Sequence, residues 1–241
     1  MITRQRTEKT AGFTRRMLAV LVLALLALAG CGRSSLPGGR GKDYSKKINT
    51  GAGMLTKALT EGKDPMHLSM KSEQNVNPKF PDTAGSKPVM GSRTLEADVS
   101  PTEVDMVEGT DGKSRETKAT PAQGMQWAFA RSGLSMRLLG GNLLLAFAAV
   151  SAKEAGSDNI FGITTDKYDL DTANADASKR AAFAMSTNLM MGGKTKLDLV
   201  KGSVWLDQSS GRLVKYDLHA EYSDKEGNAW KEHYEALATP K

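Results

Sequence analysis

The 241-residue chain has a single cysteine, Cys31, so no disulfide can form within it. It has only three histidines, His67, His219 and His233. It lacks a Gly-x-Ser-x-Gly elbow, a His-Glu-x-x-His pair and a phosphate-binding loop. Its Ser, His and Asp residues fall at no spacing that marks a catalytic triad. Hydrolase and nucleotide chemistry therefore find no support, no cofactor is implied, and the chain reads as a non-enzyme. There is no internal repeat. Nor does any apolar run approach the roughly 20 residues that a helix needs to cross about 30 Å of hydrocarbon. A strong charge of one sign is missing too. There are 33 basic and 27 acidic residues, but the first thirty positions hold five of the basic ones and one acidic one. Residues 31–241 then carry 28 basic against 26 acidic, a net charge near +2. Charge gives no case for a nucleic-acid partner.

What is present begins at the N-terminus. Arg4, Arg6, Lys9, Arg15 and Arg16 precede the apolar run Leu18–Ala29, the layout of a secretory signal. The run ends in Leu28-Ala29-Gly30-Cys31, which resembles the lipobox of bacterial lipoproteins. That resemblance implies cleavage between Gly30 and Cys31, a diacylglyceryl group on the Cys31 thiol and acylation of the new amino terminus. One acyl chain anchors marginally, whereas two or three hold stably. Gly32 follows where an aspartate would signal inner-membrane retention. The expected place is the cell envelope, at the outer membrane facing the periplasm if there are two membranes, otherwise on the outer face of the cell membrane. Residues 31–43 then form a lipidated tether, in which Gly32–Gly41 carries Ser34, Ser35, Pro37, Gly38 and Gly39. Arg40, Lys42, Lys46 and Lys47 fit a solvated tether better than a patch for lipid headgroups. Residues 44–241 form one domain, long enough to bury a core.

Along that domain, residues 44–61 read as a helix with Ile48, Met54, Leu55 and Leu59 as a partial apolar stripe and Gly62 as C-cap. Residues 66–76 read as a strand and 77–91, with three prolines, as a long loop. Strand candidates follow at 93–100, 103–108 and 113–120, the last two joined by the hairpin signal Asp111-Gly112. Residues 122–139 read as a helix with Met125, Ala128, Phe129, Ser132 and Met136 on one face. Gly140-Gly141 divides it from a second apolar helix over 142–155. The span Leu138–Val150 is too short for a bilayer and reads as a buried helix. A strand at 159–171 and a helix at 174–191 come next. Three strands close the chain at about 196–206, 212–223 and 229–239. Val214, Tyr216, Leu218, Ala220 and Tyr222 alternate with Lys215, Asp217, His219, Glu221 and Ser223, so one face is dry and one wet. A turn centred on Glu226 pairs Tyr222 with Trp230, Leu218 with Tyr234, Glu221 with Lys231 and His219 with His233.

Two stretches carry a wider resemblance. Asn159-Ile160-Phe161-Gly162-Ile163-Thr164-Thr165-Asp166-Lys167-Tyr168 looks like a Gly-containing turn leading to a tyrosine-bearing strand. Gly202-Ser203-Val204-Trp205-Leu206-Asp207 with Gly211-Arg212-Leu213-Val214-Lys215 looks like a characteristic hairpin. Together with the element order, they resemble the LolA-like superfamily, including lipoprotein-sorting factors and LppX/LprG-type lipoproteins. The central region departs from that pattern, with only Trp127 where the family has an aromatic-rich strand pair. The resemblance implies an α+β fold: a curved antiparallel β-sheet, an incomplete barrel, with apolar helices on its concave side and an acyl-chain cavity between them. It supplies no catalytic residues.

The candidate ligand-binding residues are Met125, Phe129, Met136, Leu144, Phe147 and Met185. Of the twelve methionines, Met125, Met136, Met185, Met190 and Met191 fall in the helical parts, where methionine serves either as core filler or as an adaptable lining. The leading expectation is a membrane-anchored protein that binds or carries a lipid or other hydrophobic ligand. The alternative is a structural or interaction lipoprotein with a filled core and a protein partner. A third reading places a transition metal between His219 and His233, with Asp217 and Glu235 nearby. Its competitor is a plain exposed hairpin face. Sequence fixes no third ligand, so no metal site is assigned.

Overall fold

The structure is a computed structural model, and it describes residues 43–76, 89–181, 185 and 195–241. The expected signal, Gly30, Cys31 and the tether through residue 42 lie outside those residues. So do residues 77–88 of the expected loop and most of the helix expected over 174–191, of which 177–181 and 185 are helical.

Helix α1 spans Ser45–Glu61 and ends on Gly62, which takes the left-handed C-cap conformation. Its buried stripe is Ile48, Ala52, Leu55 and Leu59, at helical spacing; Met54, expected on that stripe, is exposed instead. Strands β1 (Met66–Val76), β2 (Val89–Val99), β3 (Val104–Thr110) and β4 (Lys113–Ala119) follow. Strand β2 begins within the segment expected to be loop, because residues 89–91 pair with the end of β1. Helix α2 then runs from Met125 to Ala148. The second half holds β5 (Lys153–Ile160), β6 (Ile163–Asp171), β7 (Thr195–Asp207), β8 (Leu213–Asp224) and β9 (Ala229–Pro240).

Among the described residues, nine strands form one antiparallel sheet in the order β4-β3-β2-β1-β9-β8-β7-β6-β5. The N-terminal and C-terminal halves join where β1 pairs with β9, Met70 opposite Ala236. The edges β4 and β5 do not pair, so the barrel stays open. The sheet nonetheless curves round the helices, since α2 touches β3 and β4 near one edge and β7, β8 and β9 further along. One continuous core lies on this concave side. It joins α1 and α2 to Leu68 and Met70 of β1, Leu95 and Ala97 of β2, Tyr168 of β6, Val204 of β7, and Tyr216 and Leu218 of β8.

Two sequence expectations need correction. The first concerns Gly140-Gly141, which does not break the helix. A single helix passes through both residues because the sheet needs a close approach there. A Cβ on Gly141 would collide with the Tyr216 hydroxyl, and one on Gly140 would lie 3.1 Å from the Tyr234 ring. With the short turn that follows it, this helix has 27 residues, and its most apolar 18-residue window has a mean hydropathy of 1.5, long and apolar enough to cross a membrane. Its packing makes it a core helix: Leu134, Leu138 and Leu145 are fully buried. The second concerns residues 153–160, of which 153–155 are expected in a helix tail and 159–160 in the next strand. They form β5, hairpinned to β6 through Phe161-Gly162. Strand β5 is exposed almost throughout, so it carries no apolar alternation to read. Like Asp111-Gly112, Phe161-Gly162 has positive φ at both positions, matching the two-residue hairpin turn.

A candidate ligand groove beside the long apolar helix

The face of α2 read from the sequence as its apolar stripe turns out to be the wet one. Met125, Phe129 and Met136 are 73%, 67% and 68% exposed. The core face is rotated away from it and carries Ala130, Leu134, Leu138, Gly141, Leu145 and Ala148. The helix is apolar on nearly every side, so the pattern alone did not distinguish the two faces.

Met136 stands at the mouth of a groove of about 680 Å³ between α2 and strands β1, β2, β3 and β9. Its apolar lining is Met70, Leu95, Met136 and Tyr234. The floor opens here because Gly140 sets no side chain against the Tyr234 ring. Ser72, Gln74, Arg93, Thr94 and Asp111 add a polar border. Arg137 Nε reaches from α2 to Glu108 on β3, and this ion pair holds the Glu108 carboxyl below its usual range. Gln74 Nε2 and the Tyr234 hydroxyl both donate to Glu232, at 2.8 and 3.1 Å. Burial, the larger cause, together with the Glu232 carboxylate raises the Tyr234 phenol well above its usual value. The phenol therefore stays protonated, as a donor.

The candidate ligand residues divide between surroundings. Met136 lines the groove. Met125 and Phe129 lie on the same exposed strip of α2, and Met185 is 72% exposed. Leu144 and Phe147 are buried in the core.

Sequence reasoning passed over Arg131. It sits on the core side of α2, 6% exposed, and donates to the carbonyls of Thr60 at 3.3 Å and of Ser100. Trp127 covers its guanidinium, 4.1 Å from the ring centre. Burial lowers its pKa. The clamp ties the C-terminus of α1 and the end of β2 to α2, cationic group to helix carbonyl. The only sequence signal was an arginine inside an apolar helix. Arg137 and Glu108, which flank the groove, were likewise not singled out.

At the rim of the concave side, Tyr44, just before α1, donates to Glu154, and Lys47 of α1 reaches Asp166. Lys47 Nζ is 2.7 Å from both Asp166 Oδ2 and the Tyr168 hydroxyl. In the C-terminal meander, the register is the one expected, with Tyr222 opposite Trp230, Leu218 opposite Tyr234 and His219 opposite His233. The Tyr222 and Trp230 rings stack, 5.4 Å between centres.

Fold and groove define a class: an open, curved antiparallel sheet with helices on its concave side and a ligand-sized recess beside the middle of the long helix. In structure the chain is similar to the Mycobacterium tuberculosis lipoprotein LppX, with 14% identity, a TM-score of 0.32, and 81% of this chain and 92% of that one covered. It is also similar to LprF from Mycobacterium bovis, with 13% identity, a TM-score of 0.33, and 83% and 94% covered. No protein-family model and no curated protein matches the chain.

Proposed function

We propose that the protein is a non-enzymatic, lipid-anchored protein of the bacterial cell envelope that holds a lipid or other hydrophobic molecule. Residues 1–30 act as its cleaved signal and Cys31 carries its anchor. The observation that supports ligand holding is the groove of about 680 Å³. It falls within the roughly 300–1,000 Å³ of small-molecule sites, with Met70, Leu95, Met136 and Tyr234 set among a larger number of polar and charged side chains. Such a lining suits an amphipathic ligand: its chain along Met70, Leu95 and Met136, its head among Arg93, Gln74 and Tyr234. The exposed strip Met125-Phe129-Met136 leads along α2 to the mouth. Exposed apolar strips mark contact with a ligand, a membrane or a partner.

The test is mass spectrometry of organic extracts from residues 32–241, expressed through the secretory pathway and purified without detergent. A stoichiometric lipid, lost in Met136→Asp and kept in Phe129→Asp, is the expected result. The burial of Leu144 and Phe147 in the core favours a second reading, an interaction lipoprotein. It would give a lipid-free domain that takes up no added fluorescent lipid, and a protein crosslink that Phe129→Asp abolishes. The anchor has its own check. Cys31→Ser should stop incorporation of a labelled fatty acid and release the protein from the membrane fraction.

A further inference from the structure

The convex face of the β8–β9 hairpin carries a cluster that the groove does not use. His219 and His233 stack with ring centres 4.3 Å apart and planes within 6°. Asp217 lies two residues before His219 on the same face. Its Oδ1 is 2.9 Å from His233 Nε2 and 3.5 Å from His219 Nε2. One ligand atom from each of the three residues lies within 4.8 Å of the other two. On β1, Glu73 Oε2 stands 3.7 Å from His233 Nδ1.

We propose that Asp217, His219 and His233 bind a divalent transition-metal ion. Two imidazoles and one carboxylate form the donor set that suits Zn²⁺, Cu²⁺ or Ni²⁺. Ligands about 2.1 Å from a tetrahedral ion stand about 3.4 Å from one another. The two Asp217 distances bracket that value. Paired strands hold all three residues on a preset scaffold, so little chain ordering opposes binding. The imidazoles must tilt out of their parallel stack for both Nε2 lone pairs to converge. With side chains 55% and 25% exposed, they can turn without disturbing the core. When His233 Nε2 is metal-bound, its Nδ1–H points to Glu73, the carboxylate partner that orients metal-bound imidazoles. Of the neighbouring cations, Lys71 and Lys215 are already paired, with Glu73 at 2.8 Å and Glu235 at 3.0 Å, and Lys201 stands opposite His219 on β7. Three protein ligands leave a fourth position for water or an incoming group. His67 offers an internal comparison. It too sits between carboxylates, Asp98 at 2.9 Å and Glu96 at 3.1 Å, but as a lone imidazole.

The test uses the full untagged chain, stripped with a chelator and titrated with Co²⁺ and Zn²⁺. One equivalent should bind, with visible Co²⁺ absorption bands of a four-coordinate site that Zn²⁺ displaces. His219→Ala and His233→Ala should each weaken binding at least about a hundredfold, and Glu73→Gln about tenfold, while His67→Ala changes nothing. Ni²⁺ should broaden the imidazole NMR signals of His219 and His233 in the unmodified chain, a reading that needs no variant. The proposal falls if the chain takes up no stoichiometric Co²⁺, if the double alanine variant binds as tightly as the parent, or if loss of His67 abolishes binding.

Discussion

At the scale of single residues, the same substitution should act with opposite sign at two glycines of one fold. Gly141 lies in α2 against the Tyr216 hydroxyl, and Gly53 lies in α1 with open space where a Cβ would stand. Gly141→Ala should destabilise by about 1–3 kcal/mol, since overpacking outweighs the gain in helix propensity. Gly53→Ala should stabilise by about 0.5–1 kcal/mol. Denaturant unfolding of the two variants measures both. Arg131→Ala should cost about 2–3 kcal/mol in the same measurement, because it removes charged hydrogen bonds to the part-buried carbonyls of Thr60 and Ser100. Neither role was visible beforehand. Gly140-Gly141 looks like a helix break in any linear reading, and only the two tyrosines from β8 and β9 explain why the helix continues.

At the scale of elements, readability followed the strength of periodicity. Strand β8 alternates cleanly, and the Asp224–Asn228 turn joins it to β9, so the register of the pair was available from pattern. In α1 the stripe was right in three of its four members. Strand β5 was missed because an edge strand wet along its length has no face to betray. Helix α2 was read with its faces exchanged, since apolar residues surround it. The consequence is testable on the element as a whole. Met125→Lys and Phe129→Lys, on the exposed strip, should leave unfolding free energy within about 0.5 kcal/mol of the parent. Leu138→Ala, on the buried face, should lose about 2–5 kcal/mol.

At the scale of the molecule, its carboxylates set the acid limit of stability. Asp166 is held low chiefly by Lys47, Glu108 by Arg137, Asp98 by Lys241 and His67, and Asp224 by the Asn228 side chain. Folded values below the unfolded ones, about 4, give stability that is complete above that pH and is lost as pH falls through the depressed values. Unfolding midpoints should therefore be level near neutrality and decline below about pH 4. Asp166→Asn should lower the neutral plateau and make the acid decline shallower. What the sequence determined by itself was whatever depends on near neighbours: the signal-like start and its cysteine as an expectation, the strand alternation, the turns and the register of the last hairpin. What only the tertiary structure decided was which side of α2 meets the sheet, where a groove remains beside it, and that Asp217 stands within reach of both stacked histidines. Those outcomes depend on contacts between residues as far apart as Gln74 and Glu232, which no local period encodes.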